Sequence, residues 1–160
     1  MRRTDREVTD LKEIQRIIAE CDVCRLGLKD LDGYPYILPL NFGYKFEEER
    51  TTFYFHSAME GKKQELLAAD CHVAFEMDCR HLLHSDRRIG RCTMHYQSVM
   101  GRGHVSFITD EAEKLHALTL LTDRYHPEDH FDFNTAAIPR TSVYKLEVEN
   151  LTAKNYAPKK

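Results

Sequence analysis

The sequence predicts a mainly β fold, a small β-barrel with peripheral helices, formed as one domain over residues 1–160. Three observations carry this expectation. Short runs of alternating apolar and polar residues are separated by turn signals. Only two segments have strong helical periodicity. Those helices fall among strands joined by hairpins, which suits a curled antiparallel sheet better than a doubly wound parallel one. A chain of 160 residues and 18.8 kDa is long enough to bury one substantial core.

The elements follow in order. Residues 10–20 read as a helix, because Leu11, Ile14, Ile17, Ile18 and Cys21 recur at helical spacing and Asp10 with Glu13 has the form of a capping box. Val23 to Leu28 reads as a strand with Cys24, Leu26 and Leu28 on one face, and Asp32-Gly33 turns it into a hairpin. Tyr34 to Tyr44 is extended but carries Pro35 and Pro39, so it reads as an edge strand or one that leaves regular pairing near Pro39. An acidic turn at 47–50 leads into the strand Thr51 to His56, and Gly61 to Ala69 forms a short helix. His72 to Cys79 alternates as a half-buried strand, and Arg80 to Arg91 reads as a polar connection. Cys92 to Thr109 is extended, with a bulge or bend expected at Gly101 and Gly103. Asp110 to Tyr125 is the second long helix, with Ala112, Leu115, Leu118, Leu121 and Thr122 as its apolar stripe. His126 to Arg140 is irregular, and Ser142 to Val148 is a final strand. Five or six strands and three helices result.

Composition narrows the function. Twenty-three Lys and Arg against 26 Asp and Glu give a charge of −3, which disfavours a nucleic-acid surface. No apolar run approaches the length of a membrane span, and the N-terminus has no signal-peptide core. Five cysteines in a chain that needs no staples suggest free thiols and a cytoplasmic location.

The segment Phe53 to Lys63 is the richest in chemistry. A strand delivers His56 and Ser57 to a turn, and a helix begins near Gly61, so backbone N–H groups, a hydroxyl and the ammonium groups of Lys62 and Lys63 can converge on one anion as a phosphate cradle, the alternative from spacing alone being two solvated lysines on a short helix.

Four ordered blocks also carry a resemblance: Tyr36 to Tyr44, Tyr54 to Ala58 with Gly61-Lys62-Lys63, Phe75 to Asp78, and Tyr96 to Gly101. Together they resemble the nitroimidazole-resistance (Nim-type) proteins, within the pyridoxamine-phosphate-oxidase-like flavin-binding split barrels, over about residues 3–154. Asp5-Arg6-Glu7 and Cys21 to Gly27 are similar too. The resemblance implies a homodimer with FMN at the subunit interface, FAD being the alternative flavin. It implies ring contacts from Pro39, Leu40 and Asn41, phosphate contacts from His56, Ser57, Ala58, Gly61, Lys62 and Lys63, and flavin contacts from Gln97, Ser98 and Val99. The implied activity is flavin-dependent reduction of a small electrophile such as a nitroaromatic compound, with His56 as catalytic proton donor or as a cofactor contact. Two departures stand out. Relatives that oxidise pyridoxamine phosphate carry an Arg-Lys pair where Gly61 and Lys62 stand, and Ala153 replaces an expected glycine.

Other constellations compete. Cys21-x-x-Cys24 joins a helix end to a strand, whereas a redox thiol needs a helix N-terminus, so it reads as structural. Cys79, His81, His84, Cys92 and His95 match no established zinc spacing, so no metal site is assigned there. The nine histidines keep haem binding open, and a flavin- or haem-binding protein without turnover is the second function, with the pyridoxamine-phosphate-oxidase-like activity that the resemblance implies as a further alternative. His126 to His130 reads as a polar surface loop.

Overall fold

The computed structural model describes residues 3–48, 50–128 and 132–156; Glu49 of the acidic turn and Asp129 and His130 of the polar loop lie outside them. Strand β1 (Glu7–Val8) precedes helix α1 (Leu11–Glu20), followed by β2 (Cys24–Lys29), β3 (Pro35–Leu40), β4 (Gly43–Phe46), β5 (Thr51–Ser57), α2 (Lys62–Ala69), β6 (His72–Asp86), β7 (Arg91–Ile108), α3 (Glu111–Tyr125) and β8 (Ser142–Tyr156). The described residues thus form eight strands, more than the five or six expected.

All pairs are antiparallel, in the order β3-β2-β6-β7-β8-β5-β4, with β1 added to β8. The two edges of this sheet are consecutive strands. Leu40 ends β3 and Gly43 begins β4, so only Asn41 and Phe42 join them. Laid flat, seven strands put their outer members about 29 Å apart. Three virtual bonds reach about 11 Å at most. The sheet therefore has to curl until its edges approach, and since β3 and β4 do not pair, the result is a split barrel.

The core explains the curl. Phe42 from the link lies edge-to-face on Phe53 with centroids 5.6 Å apart, and Phe53 meets Phe75 at 5.2 Å. Ile14, Ile17 and Ile18 of α1 are buried against the same cluster. At the start of α1, the Asp10 carboxylate accepts from the Glu13 N–H at 3.1 Å. Glu13 does not reciprocate; its carboxylate takes two bonds from Arg16, at 2.8 and 2.7 Å, which leaves half a capping box.

Three sequence expectations change. The stretch Arg80 to Arg91 is a β-hairpin arm, because β6 and β7 stay paired from Leu82↔His95 to Asp86↔Arg91 around the turn at 87–90. A bulge between Cys79 and Leu82, with Arg80 at φ 55°, separates this arm from the barrel. Beyond it neither face meets a core, so alternation vanishes while the backbone ladder continues. The second change concerns α3, whose buried face is Lys114, Ala117, Leu118 and Leu121, while Ala112 and Leu115 are exposed. Lys114 is buried because its ammonium donates to the Thr141 carbonyl at 3.1 Å while its stem fills apolar space. The last strand is also longer than alternation indicated, reaching Tyr156, and Ala153 lies fully buried within it opposite Val99 and Val8.

The glycines at 101 and 103 mark the expected irregularity. The register of β7 against β8 shifts between Arg102↔Asn150 and Gly103↔Val148, which leaves Glu149 as the extra residue on β8. A Cβ on Gly103 would fall 2.0 Å from the Glu147 carbonyl oxygen. At Gly43 a Cβ would meet the Leu121 backbone nitrogen at 2.8 Å, so α3 rests directly on β4 there. No helix among the described residues is long and apolar enough to cross a membrane.

Gly43→Ala is expected to destabilise the fold by about 1–3 kcal/mol, read as a lower denaturation midpoint in urea. Gly27→Ala, whose nearest neighbour would be 3.8 Å away, is the control and should not lower the midpoint.

Candidate functional site

Four pieces of chain meet at the open side of the split. The β3–β4 link supplies Leu40, Asn41 and Phe42, and the end of β5 supplies His56, Ser57 and Ala58. The start of α2 supplies Gly61, Lys62 and Lys63, and the start of β8 supplies Ser142 to Tyr144. Gly43 pairs with Tyr54, so Asn41 and His56, each two residues further out, leave the β4–β5 pair at the same end. His56 and Ser57 in turn pair with Val143 and Ser142.

The link is pinned from α3. The Phe42 N–H donates to the Tyr125 hydroxyl at 3.3 Å, and that hydroxyl donates to the Asp22 carbonyl at 2.7 Å. The Arg124 guanidinium lies 4.1 Å from the Phe42 ring centroid and donates to the carbonyls of Cys21 and Ile18. Pro39 and Asn41 are left exposed, with Leu40 half-buried between them. Pro39 continues an outward-facing row through Arg25, Glu76, Met100 and Thr152, across five strands.

At α2 the cap residue is Gly61, at φ 124°, and no side chain caps the helix. The first N–H groups of the helix are thereby open to an anion. Gln64 holds the preceding turn by donating to the Ser57 hydroxyl and, at 2.9 Å, to the Ala58 carbonyl. The two lysines differ. Lys62 is paired with Asp30 at the base of the β2–β3 hairpin and lies 5.2 Å from the Tyr36 ring centroid. Lys63 is half-buried, has no carboxylate partner among the described residues, and lies 5.6 Å from the Tyr144 ring centroid. Burial pulls its ammonium below the usual lysine range. Tyr144 is fully buried, which raises its pKa, and its hydroxyl lies toward Ser57. An ammonium with no carboxylate partner among the described residues and an uncapped helix start, with the Ser57 hydroxyl at their side, are together the donor set that a phosphate monoester takes.

Although His56 is an exposed residue, crowding by surrounding protein and, secondarily, the Lys63 charge hold its imidazole below the ordinary value. The neutral ring is therefore favoured at pH 7.

Gln97, Ser98 and Val99 lie elsewhere. Ser98 pairs with Lys154, whereas His56 pairs with Val143, eleven residues back along β8 and roughly 35 Å away along the strand. All three are buried, and the Gln97 carbonyl oxygen accepts from Arg16 at 3.1 Å. One chain does not bring this block to the cradle. Near it, Arg80, Leu82, His95, Tyr96, Asn155 and Tyr156 help line a cavity of about 270 Å³. His95 is buried there, with Nδ1 3.0 Å from the Tyr156 carbonyl and Nε2 unpartnered. Sequence motifs pass over Tyr144 and Gln64, and they single out His95 only as part of the Cys/His-rich segment. Tyr144 reads as an ordinary inward strand residue, and only the structure brings it beside Ser57 and Lys63.

All five cysteines are free, and Cys21 and Cys24 are fully buried, with burial raising both thiol pKa values. That environment gives the C-x-x-C no reactive thiolate.

Lys63→Met should move the His56 titration midpoint upward, by less than its whole displacement because burial is the larger cause. An NMR pH titration of the imidazole checks this, and an unmoved midpoint would place the Lys63 charge away from His56.

A family model described as pyridoxamine 5'-phosphate oxidase matches residues 10–155. No curated protein matches the chain significantly. Among solved structures, a candidate 5-nitroimidazole antibiotic resistance protein from Bacteroides thetaiotaomicron is 35% identical, with a TM-score of 0.82 over 92% of this chain and 85% of that one. The flavocytochrome Anf3 from Azotobacter vinelandii is 18% identical, with a TM-score of 0.76 over 99% of this chain and 72% of that one. An FAD- and haem-binding protein from Mycobacterium smegmatis is 19% identical, with a TM-score of 0.78 over 96% of this chain and 74% of that one. At those identities the latter two are likenesses of fold alone. With a family model covering nearly its whole length and a split barrel built to match, the chain belongs to the pyridoxamine 5'-phosphate oxidase family.

Proposed function

We propose that the protein is an FMN-dependent oxidoreductase that reduces a small electrophile of the nitroaromatic class, working as a cytoplasmic homodimer. The observation that carries this reading is Lys63, a half-buried ammonium without a carboxylate partner at the uncapped start of α2. The likeness to the candidate nitroimidazole resistance protein supports the substrate class.

When bound, the flavin supplies hydride or single-electron transfer. The chain's own residues bind and orient it. Lys63, the N–H groups of α2 and the Ser57 hydroxyl hold the phosphate, and Gln64 fixes Ser57 for that task. Lys62 acts differently: paired with Asp30, it fastens the helix start to the β2–β3 hairpin. Asn41 offers a donor and an acceptor to the polar edge of the ring, and Pro39 and Leu40 form its floor. His56, neutral and exposed at the rim, hydrogen-bonds the substrate and hands on a proton. The Gln97 to Val99 block reaches a flavin only from a second copy, because its own cradle lies at the far end of β8. FAD fits the same donors through its inner phosphates.

A second reading, a haem-binding protein without turnover, is favoured by His95. With Nδ1 donating to the Tyr156 carbonyl, Nε2 carries the lone pair through which His95 would hold a haem iron.

The visible spectrum of the purified protein separates the two. Flavin bands are expected; a Soret band would establish the second reading, and a colourless protein that takes up no added FMN would end the first. Lys63→Ala should weaken FMN retention at least about tenfold, the value of a lost charge-assisted hydrogen bond, and Lys62→Ala should weaken it less. Under anaerobic stopped flow, the flavin reduced by a nicotinamide or by dithionite should be reoxidised by a 5-nitroimidazole, and failure of that step would overturn the reductase reading.

A further inference from the structure

We propose that Asp70, Cys71 and His72, with His104 beside them, form a binding site for a borderline divalent cation of the zinc class, at the opposite end of α2 from the phosphate cradle. Asp70 closes α2, Cys71 and His72 open β6, and His104 faces His72 across the ladder on β7. The ligand atoms of Asp70, Cys71 and His72 all lie within 4.8 Å of one another. Around a tetrahedral zinc ion, with bonds of about 2.0–2.3 Å, ligand atoms stand about 3.3–3.8 Å apart. The three donors are therefore within about 1 Å of closing on one ion.

Each of the two histidines stands beside a carboxylate. His72 Nδ1 lies 2.7 Å from the Asp70 carboxylate, which also accepts from the His72 N–H at 3.0 Å. His104 Nδ1 lies 3.3 Å from the Glu149 carboxylate. The His72–Asp70 contact is the one an ion would enter, displacing the proton between Nδ1 and the carboxylate, while the Glu149 carboxylate faces His104 Nδ1, the outer-shell position for an imidazole that binds through Nε2. The two rings stand 4.6 Å apart, centroid to centroid. Two imidazoles sharing one tetrahedral ion stand about 5 Å apart.

Glu149 is in place for a structural reason, since it is the residue extruded from β8 by the bulge opposite Gly103. The neighbouring cations do not block the site. Lys29 reaches Asp70 only at 3.9 Å and Arg102 reaches Glu149 only at 3.9 Å, with side chains 79% and 70% exposed. Cys71 supplies the soft ligand and is exposed, so its thiol can lose its proton to a metal from solvent. Bound there, the ion ties the end of α2, the start of β6 and the middle of β7 into one unit. Lys63 and Asp70 mark opposite ends of α2, about 10 Å apart along its axis, so this site stands or falls independently of the flavin.

The test uses the full-length protein as purified, stripped with EDTA and kept reduced with a phosphine. Co²⁺ is the probe, because tetrahedral Co²⁺ gives intense d–d bands in the red, clear of flavin absorption, and a thiolate charge-transfer band in the ultraviolet. A single equivalent should produce both, and Zn²⁺ should displace it and raise the melting temperature. Cys71→Ser should abolish the charge-transfer band, and Cys71→Ser and His72→Ala should each weaken binding at least about tenfold, with His104→Ala weakening it less. Cys92→Ser, which removes the other exposed thiol, should bind as the wild type does. The absence of saturable binding, a weak octahedral spectrum, or unchanged affinity in Cys71→Ser or His72→Ala would each overturn the proposal. Flavin content should be the same in every variant.

Discussion

Two residues hold the architecture together. Asn41 and Phe42 join strands that occupy opposite edges of one sheet, and a connection so short leaves the sheet no option but to curl. Phe42 is the residue that makes the crossing stable. Its ring is fully buried against Phe53, its N–H is taken by Tyr125, and Arg124 covers its face. The same crossing opens the site. Backbone groups that would pair in a closed barrel are released beside Asn41, and His56 leaves its ladder at the same end.

The chemistry follows from how charge is distributed around this gap. Adjacent lysines in sequence are unlike in environment: one is neutralised by Asp30 at the surface, and the other is half-buried over an aromatic ring with no counter-charge among the described residues. A buried ammonium is costly unless something negative completes it. The helix start above it, without a capping side chain, has the same unmet demand. One anion answers both.

The sequence disclosed those parts of the fold that face a core. α1, the β2–β3 hairpin and the β6 segment up to Cys79 were legible because apolar residues recur at 3.6 or 2 positions and turns carry Asp-Gly. The arm from Arg80 to Arg91 was not, since a two-stranded ribbon with both faces in water has no apolar period to read. The α3 stripe was misassigned because Lys114 counts as polar in any pattern, yet its ammonium finds the Thr141 carbonyl and its stem enters the core. In the site, the run from His56 to Lys63 was visible as a strand, turn and helix start. The inequality of Lys62 and Lys63 was not, because Asp30 comes from a hairpin thirty-two residues before Lys62. Nor was the meeting of His72 with His104, which depends on the register of β6 against β7.

The hairpin arm has a consequence for local stability. Past the bulge at Cys79 its residues contribute nothing to the core, and Leu82, Leu83 and Met94 are 59%, 61% and 45% exposed. Its backbone bonds open without disturbing the barrel, so in an isolated chain its amides exchange with solvent far faster than those of the inner half of the same two strands. Slow exchange along the arm would then report coverage by another molecule and say nothing about the strength of the fold. One long β-ribbon thus carries two independent clocks, one set by the core and the other by whatever lies against its tip.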